Sequence, residues 1–165
     1  VFDDGDNNTT NIIDLNGVAL DTIRLYPIKS FSFNDNTNEL LISSFDMVYA
    51  YNIINSTYRE YCQYYESHFA TRRVWINDFE FIWATNRMDI GGSINLTNTI
   101  TRKTICLKSY CNAKVYLRLD YSKHLNKVIW EKYESEVVGY NLLAGKYSIV
   151  MMDVDGTNEQ EIEIL

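Results

Sequence analysis

Candidates for nucleophilic catalysis are few in this chain of 165 residues, which contains three cysteines and two histidines. A nucleophilic Ser or Cys needs a His beside it and a third group that orients the His. Cys62 and His68 are six residues apart, and on a helix this spacing points the two side chains away from each other. His124 lies in a polar stretch that matches no nucleophile motif. The sequence therefore predicts no catalytic residues and no enzymatic activity.

Two acidic stretches, residues 3–8 and 153–156, resemble the beginning of a calcium-binding loop, because hard cations bind clustered carboxylate and carbonyl oxygens. Neither stretch continues with the glycine and the closing glutamate that such a loop requires. A zinc site would need four suitably spaced ligands, and only three cysteines and two histidines are present. The seven glycines form no phosphate-binding pattern. We therefore predict no metal site and no cofactor.

Cys106 and Cys111 bracket four residues between two predicted strands. Two readings stay open for this pair, a disulfide across a hairpin or free thiols. Three cysteines permit at most one disulfide and leave an odd thiol, which is not the framework of a small disulfide-stapled domain.

Aromatic residues are the side chains of this chain that best suit ligand recognition. There are thirteen tyrosines, seven phenylalanines and three tryptophans. Tyr and Trp suit both partly wet protein interfaces and the stacking of sugar rings. Rings on periodic faces, such as Tyr58, Phe79 and Phe81, are expected in the core. The predicted ligand-binding surface instead uses aromatic residues out of phase with that periodicity or beside charge, and arginines that offer planar donors. Its residues are Tyr64, Arg72, Arg73, Trp75 and Tyr110.

The formal net charge of −7 narrows the choice of partner. Lys and Arg are scattered along the chain, whereas binding to nucleic acid needs several cations that neutralise phosphates together. No apolar run approaches the roughly 20 residues that span a bilayer. We therefore predict no nucleic-acid binding and no insertion into a membrane.

Short strands must position these residues. About ten runs of alternating or apolar residues, separated by turn signals, predict a mainly β fold: an antiparallel β-sandwich, or a closely related α+β domain. Residues 1–18 are expected to be an extended arm or loop, and residues 19–165 a single β-rich recognition domain without an internal repeat. Asp155-Gly156 predicts a tight hairpin, and the runs beside Asn77-Asp78 fit a hairpin or one strand with a bulge.

One amphipathic helix is predicted at about 57–69. Its apolar stripe recurs at helical spacing, and Thr57 and Glu60 are placed as a capping box. We expect this helix to lie across a sheet.

The opening residues Val1-Phe2-Asp3, with Thr9-Thr10 a few positions on, resemble the start of a rotavirus spike-head domain. The chain is also similar to that family in size, aromatic content and AT-rich residue bias. The Gly-Pro-Tyr continuation of its commonest group is missing, which points to a divergent group. The resemblance implies a β-rich, lectin-like domain on the virion surface that attaches to host-cell glycans, with the remainder of its own spike protein as a second partner.

A second stretch of residues is similar to secreted poxvirus β-sandwich proteins, which bind host cytokines or immune receptors. The matching residues are Asn8-Thr9, Ile12-Ile13-Asp14 and Leu25-Tyr26-Pro27. This resemblance implies the alternative function, a secreted, extracellular glycoprotein that captures a host protein receptor. Both readings describe a non-enzymatic recognition domain of a virus.

Overall fold

The computed structural model describes residues 2–3, 9–13, 16, 18–24, 30–43, 47–63, 69–87, 91–111, 114–135, 137–138, 141–142 and 145–164. These residues form seventeen β-strands and the turns between them. All the strand pairs are antiparallel, so the prediction of a mainly β, antiparallel fold is confirmed. No helix in the described residues is long and apolar enough to cross a membrane.

The chain divides into two compact units, and the first comprises Val1–Glu66. It holds a three-stranded sheet, called sheet I, and a four-stranded sheet, called sheet II. Sheet I contains β1 (Phe2–Asp3), β2 (Thr9–Ile13) and β3 (Ala19–Arg24). Sheet II contains β4 (Ser30–Asn34), β5 (Glu39–Ser43), β6 (Met47–Asn52) and β7 (Thr57–Gln63).

The second unit, Ser67–Leu165, holds two four-stranded sheets, called sheet III and sheet IV. Sheet III contains β8 (Phe69–Trp75), β9 (Glu80–Arg87), β10 (Gly91–Asn98) and β11 (Lys103–Cys111). Sheet IV contains β12 (Lys114–Ser122), β13 (Lys127–Ser135), β16 (Lys146–Asp153) and β17 (Gln160–Ile164). A small ladder of β14 (Val137–Val138) and β15 (Asn141–Leu142) lies between β13 and β16 in the chain.

Sheets II, III and IV are meanders, in which each strand pairs with the strand described before it in the same sheet. In such a meander the first and third turns lie at one end of the sheet. Alternation of apolar and polar residues then gives each sheet one face for a core. Of the two alternatives at Asn77-Asp78, the structure has the hairpin, with residues 76–79 joining β8 and β9. Strands β16 and β17 also form a hairpin, but residues 154–159 separate them, so the prediction of a tight hairpin at Asp155-Gly156 is wrong.

In the first unit, sheet I covers one face of sheet II. Ile12 and Ile23 pack against the buried Leu40, Ile42 and Tyr51 of sheet II. The Tyr51 hydroxyl also donates a hydrogen bond to the Asp21 carboxylate of β3. Burial of each such aliphatic side chain stabilises the fold by about 1.5–3 kcal/mol, so apolar packing holds these two sheets together.

In the second unit, sheets III and IV pack face to face around a shared core. Sheet IV contributes Trp130 and Met152 from neighbouring strands, and both are almost completely buried. They alternate with Ile129 and Met151, which point to the other face and are only partly buried. The remaining core residues are Val74, Ile82, Ala84, Ile94, Leu119, Val128 and Val150.

The predicted helix at 57–69 is wrong for its first half, because Thr57–Gln63 is strand β7, and residues 64–68 lie outside the described residues. Tyr58 pairs with Tyr51 of β6, and its ring meets the ring of Tyr49 edge to face at 6.2 Å. Thr57, Tyr58 and Tyr61 suit a strand, because β-branched and aromatic side chains pack well against a neighbouring strand. The contacts with strand β6 therefore favour a strand here, although the spacing of the tyrosines is that of a helix.

Residues 1–18 were predicted to be an extended arm or loop, and in the structure they contain the strands β1 and β2. The prediction of one domain over residues 19–165 stays a prediction.

A turn motif that the sequence analysis missed recurs in these sheets. A side-chain acceptor stands at the end of a strand, and the residue four positions later has a positive φ. In the first example, Asn34 Oδ1 accepts hydrogen bonds from the Asn36 and Thr37 amides at 3.1 and 3.4 Å, and Asn38 has a φ of 54°. The other pairs are Asn52 with Ser56, Asn98 with Arg102, and Ser122 with Asn126.

Arg102 is an unusual residue for this motif, because its φ of 56° lies in the left-handed region that favours glycine and asparagine. We predict that Arg102→Gly leaves the free energy of unfolding unchanged or raises it by up to about 1 kcal/mol. Arg102→Val should lower it by about 1–2 kcal/mol, because a β-branched residue adopts this backbone poorly. Urea unfolding measures both changes.

The neighbouring Lys103 is the matched control, since it is exposed and begins strand β11. Lys103→Val should leave stability unchanged or raise it, because strands favour β-branched residues. Equal losses for Val at both positions would contradict the role of the positive φ.

Candidate binding surface

The described residues of the binding surface predicted from sequence do not form one exposed surface. Tyr64 lies outside the described residues, and Arg72 is in strand β8 with a side chain that is not described. Arg73 and Trp75, also in β8, are buried. These two side chains are therefore not on an exposed surface, and their part in binding a ligand stays a prediction.

Strand β8 is covered on both faces, which explains this burial. Trp75 pairs with Phe81 of β9, and the two rings meet edge to face at 5.8 Å. Arg73 pairs with Trp83 on the same face, while the intervening Val74 points into the core shared with sheet IV. The sequence analysis assumed that one face of this strand meets solvent.

Among the residues of the predicted surface whose side chains the structure describes, only Tyr110 is partly accessible, and it lies among charged groups. The ammonium groups of Lys108 and Lys132 lie 5.7 and 5.8 Å from the centre of its ring, within the range of cation–π interactions. Each lysine also has a carboxylate partner. Lys108 Nζ is 2.5 Å from Glu159 Oε2, and Lys132 Nζ is 2.9 Å from Glu161 Oε1. The charges around the ring are thus already neutralised.

Glu161 is held in its ionised form. The Ser148 hydroxyl donates to Glu161 Oε1 at 2.6 Å, and Lys132 Nζ donates to both carboxylate oxygens at 2.9 and 3.0 Å. The hydrogen bond from Ser148, followed by that from Lys132, lowers the pKa of Glu161 below its ordinary value. A general acid near neutral pH needs the opposite shift, so this cluster is suited to holding strands together. Among the described residues, no three His, Cys, Asp or Glu side chains cluster as a metal site would require.

Cys106 has a free thiol, so the disulfide alternative for Cys106 and Cys111 is wrong. Both residues belong to strand β11 and are five residues apart. An extended strand rises about 3.3 Å per residue, which separates their Cα atoms by roughly 16 Å. A disulfide requires about 7 Å or less.

Two exposed apolar residues of sheet III, Phe79 and Ile100, lie in adjacent turns, residues 76–79 and 99–102, while the exposed Ile105 lies in strand β11. The amide and the hydroxyl of Thr99 donate to the Phe79 carbonyl at 2.7 and 2.9 Å. The Glu80 carboxylate accepts hydrogen bonds from Asn77 Nδ2 at 2.8 Å and from Asn98 Nδ2 at 3.2 Å. Glu80 therefore joins the two turns.

The two asparagines also close their own turns. Asn77 Oδ1 accepts from the Phe79 amide at 2.9 Å, and Asn98 Oδ1 accepts from the Ile100 amide at 3.1 Å. Phe79 and Ile100 remain 51% and 69% exposed. Hydrogen-bonded turns thus hold two large apolar side chains in water at neighbouring positions, and we call this pair the turn-tip pair.

Sequence reasoning placed Phe79 and Tyr58 in the core, and both are exposed, whereas Phe81 is buried as predicted. The signal that could have found the turn tips is the repeated spacing of a side-chain acceptor and a residue with positive φ. That spacing marks residues 98–102 as a turn, while Asn77 Oδ1 closes the turn at 77–79 by accepting from the Phe79 amide, and residues in turns seldom contribute to a core.

Comparisons with known proteins bear on the fold. No family model and no curated protein matches this chain. Solved structures do match. The nidogen/laminin complex has a TM-score of 0.63 at 11% identity over 94% of this chain and 57% of that chain. TolB from Acinetobacter baumannii has a TM-score of 0.59 at 12% identity over 94% of this chain and 48% of that chain.

Sqt1 from Saccharomyces cerevisiae matches at a TM-score of 0.53 with 12% identity, over 96% of this chain and 39% of that chain. These structures are β-propeller-like. Such low identity shows a shared fold alone. Propellers are built from four-stranded antiparallel sheets, which agrees with the meanders of sheets II, III and IV. The chain spans from 39% to 57% of the length of these neighbours.

The hydrogen bond from Ser148 to Glu161 makes stability depend on pH. The pKa of Glu161 is lower in the folded protein than the value of about 4.3 expected on unfolding. Its stabilising effect is therefore present above that value and is lost as the pH falls through the folded pKa. Because Glu161 is partly exposed, we expect Ser148→Ala to lower the free energy of unfolding at pH 7 by only about 1 kcal/mol.

Urea unfolding at pH 7 and pH 3 measures this loss, which should shrink at the lower pH. In a Glu161→Gln background, Ser148→Ala should have a smaller effect, since the charge is gone. An equal loss at both pH values would show that the hydroxyl acts independently of the carboxylate.

The thiol of Cys106 is exposed and should react with iodoacetamide in the native protein without prior reduction. Mass spectrometry of the digested protein locates the label. Cys106→Ser should leave the free energy of unfolding unchanged within about 0.5 kcal/mol. A cross-linked peptide joining Cys106 to Cys111 would contradict the strand geometry.

Proposed function

We propose that this chain is a non-enzymatic recognition module built from propeller-type sheets, and that it binds a protein ligand through the turn-tip pair. The observation that carries the proposal is the rigid presentation of Phe79 and Ile100 in water. Apolar side chains exposed next to each other favour an interaction site over an ordinary surface.

The architecture in this proposal differs from the predicted sandwich in its connectivity. Sandwiches are commonly wound as Greek keys, in which the chain passes between the two sheets. Here each of sheets II, III and IV is made from strands that follow one another in the chain. This connectivity and the propeller-like neighbours support propeller-type sheets.

The energetics favour binding at the turn-tip pair. Covering a Phe or Ile side chain contributes about 1.5–3 kcal/mol. Ordering a flexible side chain or loop on binding costs about 0.5–1.5 kcal/mol for each group. The Glu80 carboxylate already joins both turns through Asn77 and Asn98, so little of this ordering remains to be done when a ligand arrives.

The chemistry of the pair favours a protein over a glycan. Sugar binding relies on aromatic faces together with polar groups that are available to hydroxyls. The pair has one aromatic ring, and the nearby amide groups of Asn77 and Asn98 donate to Glu80. The nidogen/laminin neighbour is itself a complex of two proteins, which supports protein binding. Attachment to host-cell glycans, a place on the virion surface and a link to a spike protein stay predictions.

A library of random peptides displayed on phage tests the proposed binding. We expect the chain to select peptides rich in aromatic and aliphatic residues. The double variant Phe79→Ala/Ile100→Ala should bind those peptides about tenfold more weakly or worse, since it removes most of the apolar area. Titration of labelled peptides measures the affinities.

Leu125→Ala is the matched control, because Leu125 is another exposed apolar residue on a turn but belongs to sheet IV. It should leave peptide affinity unchanged. A glycan array provides the opposing measurement. Specific glycan binding that survives the double variant, without selection of any peptide, would contradict the proposal and support attachment through sugar.

A further inference from the structure

Four asparagines begin the tripeptide Asn-x-Ser/Thr, which is the acceptor sequence for an N-linked glycan. They are Asn7, Asn8, Asn55 and Asn95. The tripeptide alone is not sufficient, because the glycan is bulky and hydrated and must project from the surface of the folded protein. Asn7 and Asn8 lie outside the described residues. The structure describes Asn55 and Asn95 and places them in opposite environments.

Asn95 has no room for a glycan in the folded protein. It lies within strand β10, pairs with Trp83 of β9 and is only 7% exposed. Its Nδ2 atom donates to Ser93 Oγ at 2.9 Å. The Thr97 hydroxyl of the same tripeptide is also buried, 2.9 Å from Trp83 Nε1 and 2.8 Å from Thr104 Oγ1. A hydrated sugar at Asn95 would therefore disrupt sheet III.

Asn55 lies in the turn between β6 and β7, at the surface of sheet II. The whole tripeptide of Asn55, Ser56 and Thr57 is exposed. Asn52 holds this turn in place, because its Oδ1 accepts hydrogen bonds from the Ile54 and Asn55 amides at 3.0 and 3.2 Å. A sugar attached to Asn55 would therefore meet water instead of a neighbouring strand.

The hydrogen bonds within the tripeptide leave the reactive atom of Asn55 available. The hydroxyl and the amide of Thr57 both donate to Asn55 Oδ1, at 2.5 and 3.2 Å. No hydrogen bond in the described part of the chain uses Asn55 Nδ2, which is the atom that a glycan joins. Hydrogen bonds donated to the amide oxygen polarise the amide group and make its N–H more acidic. The hydroxyl that the acceptor sequence requires is thus already in contact with the amide that reacts.

We propose that Asn55 is an acceptor site for an N-linked glycan when the protein passes through a secretory pathway. The donor is an oligosaccharide joined to a lipid diphosphate. Asn55 Nδ2 forms a bond to the anomeric carbon of the first sugar, and the bond from that carbon to the phosphate oxygen breaks. The lipid diphosphate leaves with the electron pair, and the proton lost from Nδ2 passes to a carboxylate base of the transferase. The site belongs to sheet II and does not depend on the turn-tip pair of sheet III.

A glycan at Asn55 would also change the surface around it. The nearby Ile54 and Tyr58 are 74% and 64% exposed. Large apolar side chains exposed close together promote association with other proteins. A bulky, hydrated glycan on the intervening Asn55 would shield these two side chains from such contacts.

Secretion of the full chain from human cells, behind a cleavable signal sequence, tests the acceptor site. Mass spectrometry of the secreted protein, before and after enzymatic release of glycans, measures the occupied fraction at each asparagine. We expect a glycan at Asn55 and none at Asn95. Thr57→Ala should abolish the glycan at Asn55, because it removes the required hydroxyl, whereas Thr57→Ser should retain it. Circular dichroism checks that each variant is folded.

Thr101→Ala is the matched control. The Thr101 hydroxyl donates to Asn98 Oδ1 at 3.1 Å in a turn of sheet III that contains no acceptor tripeptide, so its loss should leave the glycan at Asn55 unchanged. A folded, secreted chain without a glycan at Asn55, or with one at Asn95, would overturn the proposal. If the chain is not secreted, the folded chain made in bacteria is incubated with a purified oligosaccharyltransferase and its lipid-linked oligosaccharide. Failure to modify Asn55 in that reaction would overturn the proposal equally.

Discussion

Stacking of antiparallel sheets through alternating apolar side chains is the constraint on which the described structure depends. Within sheet IV, Trp130 and Met152 reach the core, while their neighbours Ile129 and Met151 point to the other face. A sheet satisfies its backbone hydrogen bonds internally, but it can bury its side chains only against another layer. The core in each unit and the buried strand β8 follow from that requirement.

The turns do not have to bury their side chains against another layer. Their backbone amides are satisfied by asparagine side chains, as at Asn77 and Asn98, so the turns keep their shape without a core. Large apolar residues can then stand at the tips without collapsing onto the sheet. This division of roles gives stability to the faces of the sheets and leaves the turn-tip pair for the binding that we propose.

Two propensities competed over residues 57–69, and the outcome shows how a local pattern is overruled. The tyrosines of this segment recur at helical spacing, but Tyr58 lies opposite Tyr51, and Arg59 forms an ion pair with Glu39. Neither partner is adjacent in sequence. Periodicity reports only which residues could share a face of an isolated element, whereas pairing with β6 supplies hydrogen bonds and ring contacts together.

The sequence by itself determined the mainly β class and the turns at Asn77-Asp78 and Asp155-Gly156, because alternation and turn chemistry are local properties. Tertiary structure alone decided which faces were covered. It buried Arg73 and Trp75, since burial of a strand depends on the sheet that packs against it, and it joined the turns that carry Phe79 and Ile100. The placement of an aromatic residue on a strand can be predicted from sequence, but its exposure is set by distant neighbours.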